Sequence, residues 1–296
     1  MQQRDGLLIL LSWVYSSLLP SASLQQHSYY NPNNSTSAQQ MTGATWSISY
    51  GDGSSANGTV YTDTVSVGTA VASNQAVELA ENVSDQFLSD NANDGLLGLA
   101  FDSLNTSKSG YFQFAAVIRC AASLLARLTC FTVSPTPQKT FFSTVKKSLD
   151  APLFTADLKA GAPGSYDFGF IDNTKYSGNI TYVAVDNSQG FWGCSSTAYG
   201  IGGDGTNLTQ KNIDTIVDTG TTLLLLPDDI LTEYYAQVSS STNDPSNGWS
   251  FPCDATLPDF FIGFNNYTAK VPGSAINFSP LSGTSKWHSR YDIQCC

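Results

Sequence analysis

Apolar and polar positions alternate over most of this chain, which is the pattern of β-strands with one buried face. Residues 44–68, ATWSISYGDGSSANGTVYTDTVSVG, place β-branched and aromatic residues on both sides of a Gly-rich turn and predict a hairpin. Two later segments, GSYDFGFID (164–172) and GNITYVAV (178–185), predict further strands. Helical signals are short, as in residues 139–149 and 227–238, the second of which opens with a proline and two acids. The pattern therefore predicts a mainly β protein.

The 296 residues are sufficient for two lobes or one large domain, and no metal or disulfide is needed to stabilise a core of that size. A net charge of −11 with only 13 basic residues and no basic run argues against binding to nucleic acid or to an anionic membrane surface. Beyond the N-terminal region, no stretch of 18 apolar residues suggests a membrane span.

Few residues are charged, 12%, and the chain is rich in Ser, Thr, Asn and Gly, which is common in secreted β-rich proteins. Nine Asn-x-Ser/Thr sequons agree with secretion and predict a glycoprotein: Asn33, Asn34, Asn57, Asn82, Asn105, Asn179, Asn207, Asn266 and Asn277. Residues 1–23 have the features of a signal peptide, with Arg4 ahead of an apolar stretch, although an ordinary buried strand is the alternative.

The usual catalytic and metal-binding patterns are weak in this sequence. His27 and His288 are the only histidines, and there is no G-x-S-x-G elbow for a serine triad. The six cysteines have no zinc spacing, so we predict neither a metal site nor a cofactor. GIGGDG (200–205) fits a dinucleotide-binding glycine pattern, but a polar segment follows it, which favours a β-turn.

The segment NIDTIVDTGTTLLLLP (212–227) places Asp218 in an Asp-Thr-Gly turn between apolar runs. By itself this is a weak signal, because Asp and Gly are favoured in turns for conformational reasons. Three other motifs stand ahead of it in the order YNP (30–32), SISYGDGSS (47–55) and NDGLLGLAF (93–101). In this order the set resembles the pepsin-like aspartic endopeptidases, most closely their secreted fungal, aspergillopepsin-type branch, over residues 30–106 and 139–283.

The resemblance implies a bilobal, mainly β fold, with an N-terminal lobe over 1–151 and a C-terminal lobe over 152–296, truncated at both termini. It implies a secreted, monomeric endopeptidase that hydrolyses peptide or protein substrates at acid pH through an Asp-activated water. GLLG (95–98) would be the strand beside the first catalytic loop. Asp218 matches the catalytic residue of the C-terminal lobe, and the flap and substrate-binding positions are Tyr50, Gly51, Asp52, Gly220 and Thr221.

The family's first Asp-Thr-Gly should stand shortly before a Trp-Val pair, which is Trp13-Val14 here, but the residues ahead offer only Asp5 followed by Gly. This alignment favours the strand interpretation of residues 1–23. We also expect the C-terminal lobe to lack the second apolar-apolar-Gly strand beside the Asp218 loop, and the cysteine that would pair with Cys253. Because the family mechanism needs two carboxylates, we expect the chain as written to be inactive. The alternative is a noncatalytic, secreted peptide-binding homologue.

Two stretches differ in amino-acid composition from the rest, an anomalous insertion at 107–138 and an anomalous tail at 285–296. Each begins with Ser-Lys, and the codons AGT-AAG for this pair contain GTAAG, a common start of an intron. We interpret both stretches as intron sequence that has been read through. A genuine helical insertion specific to this lineage is the alternative for 107–138.

Overall fold

The computed structural model describes residues 14–16, 28–50, 53–89, 94–105, 108–109, 138–221, 223–244, 248–277, 279–280, 286–289 and 292–294. These residues form two compact units. Unit 1 holds the described residues up to Ala156 together with Ser165–Ile171. Unit 2 holds Asp157–Gly164 and the described residues from Asp172 onward. The predicted lobes 1–151 and 152–296 remain a prediction.

Unit 1 is built on a six-stranded sheet with the order β5-β1-β4-β3-β2-β6. The hairpin of β2 and β3 continues into β4 through antiparallel pairing, whereas β1 runs parallel to β4. The strands are β1 (Val14–Ser16), β2 (Gln39–Ser49), β3 (Ser55–Val67), β4 (Ala70–Val83), β5 (Gly95–Leu96) and β6 (Lys108–Ser109).

Two short helices and a strand pair complete unit 1: α1 (Asp85–Ser89), α2 (Phe141–Val145), β7 (Phe154–Asp157) and β8 (Ser165–Phe168). Helix α2 is buried on its apolar side, where Phe141 packs edge-on against Phe168 with ring centroids 5.5 Å apart. The buried Gln75 of β4 also holds α2, since its amide donates to the Lys139 carbonyl and accepts from the Thr144 hydroxyl. Short 3-10 helices lie at Pro32–Asn34 and Asp102–Leu104.

Unit 2 contains a four-stranded sheet, β10-β9-β14-β15, a second four-stranded sheet, β12-β13-β17-β16, and a two-stranded sheet of β11 with β18. Its single α-helix among the described residues is α3 (Asp228–Tyr235), and a 3-10 helix lies at Gly273–Ala275. The strands are β9 (Gly193–Ile201), β10 (Thr209–Ile216), β11 (Leu223–Leu225), β12 (Thr242–Asp244), β13 (Gly248–Pro252), β14 (Phe260–Phe264), β15 (Tyr267–Val271), β16 (Ser279–Pro280), β17 (Lys286–Ser289) and β18 (Asp292–Gln294).

The core of unit 2 forms around the buried side of α3. Ile230, Leu231, Tyr234 and Tyr235 are all buried there and pack against strands that include Phe260. Tyr234 uses its hydroxyl as well as its ring, because it donates to the Pro258 carbonyl at 2.7 Å. The Tyr234 hydroxyl therefore has a hydrogen-bond partner, which is usual for a tyrosine in a core.

The main sequence-based expectations for local structure are confirmed. Residues 44–68 form most of the β2–β3 hairpin, and residues 139–149 and 227–238 contain α2 and α3. The expectation for 178–185 was wrong, because this stretch forms no strand and only Asp186 after it makes an isolated bridge to Gly193. Ile180, Tyr182 and Val185 are exposed instead of packed on a core, and alternation alone does not supply a neighbouring strand.

The tail also differs from the expectation in part. The strand predicted to be missing beside the Asp218 loop is an apolar-apolar-Gly strand. A different segment, β18 from the tail, pairs antiparallel with β11, and β17 pairs with β13 and β16. An open strand edge presents unpaired N–H and C=O groups, so an extended segment nearby can occupy it whatever its sequence. The rest of 285–296 lies outside the described residues.

Removing residues 107–138 is expected to leave unit 1 folded, because the two ends of this stretch are held side by side. The Thr140 amide donates to Asp102 Oδ1 at 2.9 Å, and the Lys139 carbonyl accepts from Gln75. Joining Thr106 to Lys139 removes the two-residue edge strand β6, a cost of about 1 kcal/mol or a few degrees in the thermal midpoint. Thermal unfolding followed by circular dichroism measures this shift.

The matched control is Asp102→Ala in the parent chain, which removes the bond between the two flanks and should destabilise more than the deletion does. A deletion variant that unfolds cooperatively at least ten degrees lower would contradict the inference that the stretch is dispensable. Sequencing mature transcripts across codons 100–145 tests its origin, since an intron that has been read through is absent from spliced messages. Apart from Lys108, Ser109 and Gln138, this stretch lies outside the described residues.

Candidate active site

Asp218 lies in the turn that joins β10 to β11. The preceding strand is held by its pairing with β9, and the Val217 amide continues this contact by donating to the Trp192 carbonyl at 3.0 Å. After the turn, β11 begins at Leu223, and Thr222 between them lies outside the described residues. The Asp218 side chain is half-buried. The turn therefore presents one carboxylate between two strands that belong to different sheets.

Each oxygen of this carboxylate receives a hydrogen bond from its own turn. The Gly220 amide donates to Oδ1 at 2.8 Å, and the Thr221 hydroxyl donates to Oδ2 at 2.6 Å. Donors on both oxygens fix the orientation of the group, and each oxygen keeps a lone pair for a further donor such as water. An oriented carboxylate that can accept a proton from water meets the geometric requirement for a general base.

Tyr50 lies at the tip of the β2–β3 hairpin. Its amide donates to the Ser54 carbonyl at 2.8 Å and its carbonyl accepts from the Gly53 amide at 3.0 Å, which closes the turn. Gly53 has φ +86, a conformation that glycine adopts without strain. The Tyr50 ring packs edge-on against Phe87 of α1 with centroids 5.6 Å apart. Gly51 and Asp52 lie outside the described residues, and the flap role of all three stays a prediction.

The GLLG motif lies in the sheet of unit 1. Gly95–Leu96 forms β5 and pairs antiparallel with β1, where Leu96 is opposite Val14. β1 lies between β5 and β4, so Val14–Ser16 forms an interior strand of this sheet. The other residues of the 1–23 stretch lie outside the described part of the chain.

A buried carboxylate that the sequence analysis did not identify lies in unit 1. Asp63 of β3 is 4% exposed. It accepts from the Tyr30 hydroxyl at 2.6 Å, from the Ser35 hydroxyl at 2.9 Å, from the Ser37 hydroxyl and from the Thr64 amide at 2.7 Å. The YNP motif therefore contributes a structural tyrosine. Its aspartate partner is 33 residues away, so no local pattern could have revealed the pair.

These contacts alter the acidity of both groups. Burial acts to raise the pKa of Asp63, but the hydrogen bonds outweigh it and hold the pKa below its usual value. Burial and the bond to the Asp63 carboxylate raise the pKa of the Tyr30 hydroxyl above its usual value. Both shifts favour an ionised Asp63 that accepts from a neutral Tyr30, so this cluster anchors the segment 28–37 to the sheet.

The alternative motifs lead to no other site. GIGGDG forms a turn after β9 in which Gly202, Gly203 and Gly205 have positive φ, and a strand follows it, as expected for a β-turn. In the described part of the chain, no group of three or more His, Cys, Asp or Glu side chains is placed to hold a metal ion. A search of the same residues finds no helix with the length and apolar character to cross a membrane.

The family model described as eukaryotic aspartyl protease matches residues 11–288. The chain belongs to the eukaryotic aspartyl protease family. It is 51% identical over 270 residues to aspergillopepsin-1 of Aspergillus oryzae and 48% identical over 271 residues to penicillopepsin-1 of Penicillium rubens. Each alignment covers 91% of this chain and 61% of the relative. The resemblance drawn from the four motifs is thus confirmed at the level of the family.

A solved aspartic proteinase from Irpex lacteus shares the fold, with a TM-score of 0.65 at 20% sequence identity over 93% of this chain and 76% of that one. This similarity confirms the mainly β, pepsin-like fold. The chain spans about 61% of the length of the aspartyl proteases named above. Asp218 lies within the residues that the family model matches.

Proposed function

We propose that the Asp218 turn supplies one of the two carboxylates that aspartic endopeptidases use for acid hydrolysis of peptide bonds in peptide or protein substrates. The observation that carries this proposal is the pair of hydrogen bonds from Gly220 and Thr221, which hold the Asp218 carboxylate within a chain of this family. In aspartic proteases two carboxylates share one proton, because two like charges so close cannot both ionise. The ionised member takes a proton from the attacking water, and the protonated member donates to the peptide carbonyl.

The 296-residue chain contains one Asp-Thr-Gly. We therefore propose that this polypeptide does not itself turn over peptides, because a single carboxylate cannot be general base and general acid in the same step. The second candidate is a noncatalytic protein that binds peptides. It is supported by the orientation of the two Asp218 oxygens, because each of them can still accept a hydrogen bond from a bound peptide.

A direct test compares the parent chain with Asp218→Asn on acid-unfolded globin at about pH 3 to 5. We expect neither protein to release peptides above the background of a reaction without protein. Turnover by the parent that disappears in Asp218→Asn would show that a second carboxylate is present and would overturn the proposal of inactivity. Binding of a peptide in which a hydroxyl replaces the scissile carbonyl, measured by calorimetry on both proteins, tests the peptide-binding candidate.

We further propose that the protein is secreted, glycosylated and monomeric. Support comes from the nine sequons, the low fraction of charged residues and the absence of basic runs in the sequence. Eight of the nine sequon asparagines have some solvent exposure in the structure, the exception being Asn105.

A further inference from the structure

The nine sequons differ in whether the folded protein has room for an oligosaccharide. Asn105 is 2% exposed, so its side-chain amide cannot carry a large polar group in the native state. Asn57 and Asn82 lie opposite each other on β3 and β4, and the Asn82 Nδ2 that a sugar would occupy donates to Asn57 Oδ1 at 3.0 Å. Asn105 and Asn82 are therefore poorly suited to modification.

Two sequons of unit 2, at Asn266 and Asn179, have room for an oligosaccharide. Asn266 is exposed in the two-residue turn between β14 and β15, where Phe264 and Tyr267 close the hairpin. Asn179 is exposed in a stretch outside any helix or strand and follows Gly178, which has φ +79. A turn that projects from a sheet leaves space around the amide nitrogen, which suits attachment of a bulky, hydrated group.

Both of these sequons border the same exposed apolar stretch. Residues 180–185 follow Asn179 directly, and Ile180, Tyr182 and Val185 are 40%, 74% and 50% exposed. The hairpin tip lies against this stretch, since Asn265 Nδ2 donates to the Tyr182 carbonyl at 3.2 Å. The stretch has no charged residue and belongs to no sheet. An exposed apolar segment outside a sheet can associate with the same segment of a second copy of the chain.

We propose that Asn179 and Asn266 carry N-linked oligosaccharides that cover residues 180–185 and prevent self-association through them. A hydrated sugar chain at each border occupies the space through which a second chain would approach the exposed side chains of Ile180, Tyr182 and Val185. The proposal rests on the proposed secretion, because these sugars are added in the secretory pathway.

Site occupancy is measured on the full chain secreted from a eukaryotic host. Enzymatic release of the sugars in heavy-oxygen water converts each occupied Asn to a mass-labelled Asp, which peptide mapping locates. We expect label at Asn179 and Asn266 and none at Asn105. The chain is directed into the secretory pathway by an added signal peptide, so absence of label at every sequon would contradict the proposed glycosylation, whereas label elsewhere without these two sites would overturn the present proposal alone.

The covering role is tested by sedimentation of the double variant Asn179→Gln/Asn266→Gln and of the isosteric double variant Thr181→Val/Thr268→Val, which removes the same sugars without altering the asparagines. We expect both to lose two glycans and to shift from monomer to concentration-dependent oligomers. The double variant Thr181→Ser/Thr268→Ser is the matched control, because it alters the same two positions and keeps both sequons, and we expect it to remain monomeric. The covering role would be overturned if the variants that lack both glycans remain monomeric. It would also be overturned if the parent chain remains monomeric after its sugars are removed enzymatically.

Discussion

Replacing Asp63 by alanine is expected to lower the free energy of unfolding by about 3 kcal/mol or more. A hydrogen bond to a charged acceptor contributes about 1.5–3 kcal/mol, and a buried donor that loses its acceptor costs more than a donor that returns to water. Here the substitution removes the shared acceptor of Tyr30, Ser35, Ser37 and the Thr64 amide at once. Urea denaturation of the full chain, followed by far-UV circular dichroism, measures the loss.

The same substitution should reduce the dependence of stability on pH. A carboxyl whose pKa is lower in the folded than in the unfolded chain, as for Asp63, contributes stability above the unfolded value of about 3.9. That contribution disappears as pH falls through the folded-state pKa. The difference in stability between parent and Asp63→Ala is thus expected to be constant above about pH 5 and to shrink below it.

Asp204→Ala is the control for this experiment. Asp204 also accepts from a hydroxyl and an amide, both of Thr206, and these bonds lower its pKa, but its side chain is exposed in a turn. Solvent can replace both bonds, so we expect no measurable change in stability. An equal loss in the two variants, or an Asp63→Ala chain as stable as the parent, would show that the Asp63 cluster does not anchor segment 28–37.

A chain with a second Asp-Thr-Gly is expected to gain the acid peptidase activity that we propose the 296-residue polypeptide lacks. The design places the corresponding loop of aspergillopepsin-1 from Aspergillus oryzae before Trp13 and replaces residues 285–296 by the C-terminal segment of that relative. A second carboxylate allows one proton to be shared, and each acid–base role contributes about 10²–10⁴-fold to the rate. Cleavage of globin should be fastest at acid pH, because the shared proton is lost once both carboxylates ionise.

Two matched variants of this chimaera decide whether Asp218 acts as proposed. Asn at position 218, or Asn in place of the grafted aspartate, should each abolish cleavage, since either change leaves one carboxylate. Activity that survives Asp218→Asn would contradict the role assigned to this residue. An optimum above neutral pH would contradict the shared-proton mechanism.

The candidate site could be predicted from the sequence to the extent that it is local. Asp218, Gly220 and Thr221 lie within one turn, and the hydrogen bonds among them depend on a few consecutive residues. The Asp63 cluster could not be found in this way, because it joins β3 to the segment around Tyr30 and Ser35. Nothing in the immediate neighbours of Asp63 distinguishes it from the other strand residues.

The sequence by itself determined where the main hairpin of unit 1 and helix α3 form. The spacing of apolar side chains, and the residues that begin or end an element, depend only on positions close together in the chain. Only the tertiary structure decided which extended segments become strands. Residues 178–185 alternate as β3 does, yet they form no strand, while Asp292–Gln294 in an atypical tail pairs with β11. The physical reason is that a strand exists through hydrogen bonds to a neighbour, and that neighbour is distant in the chain.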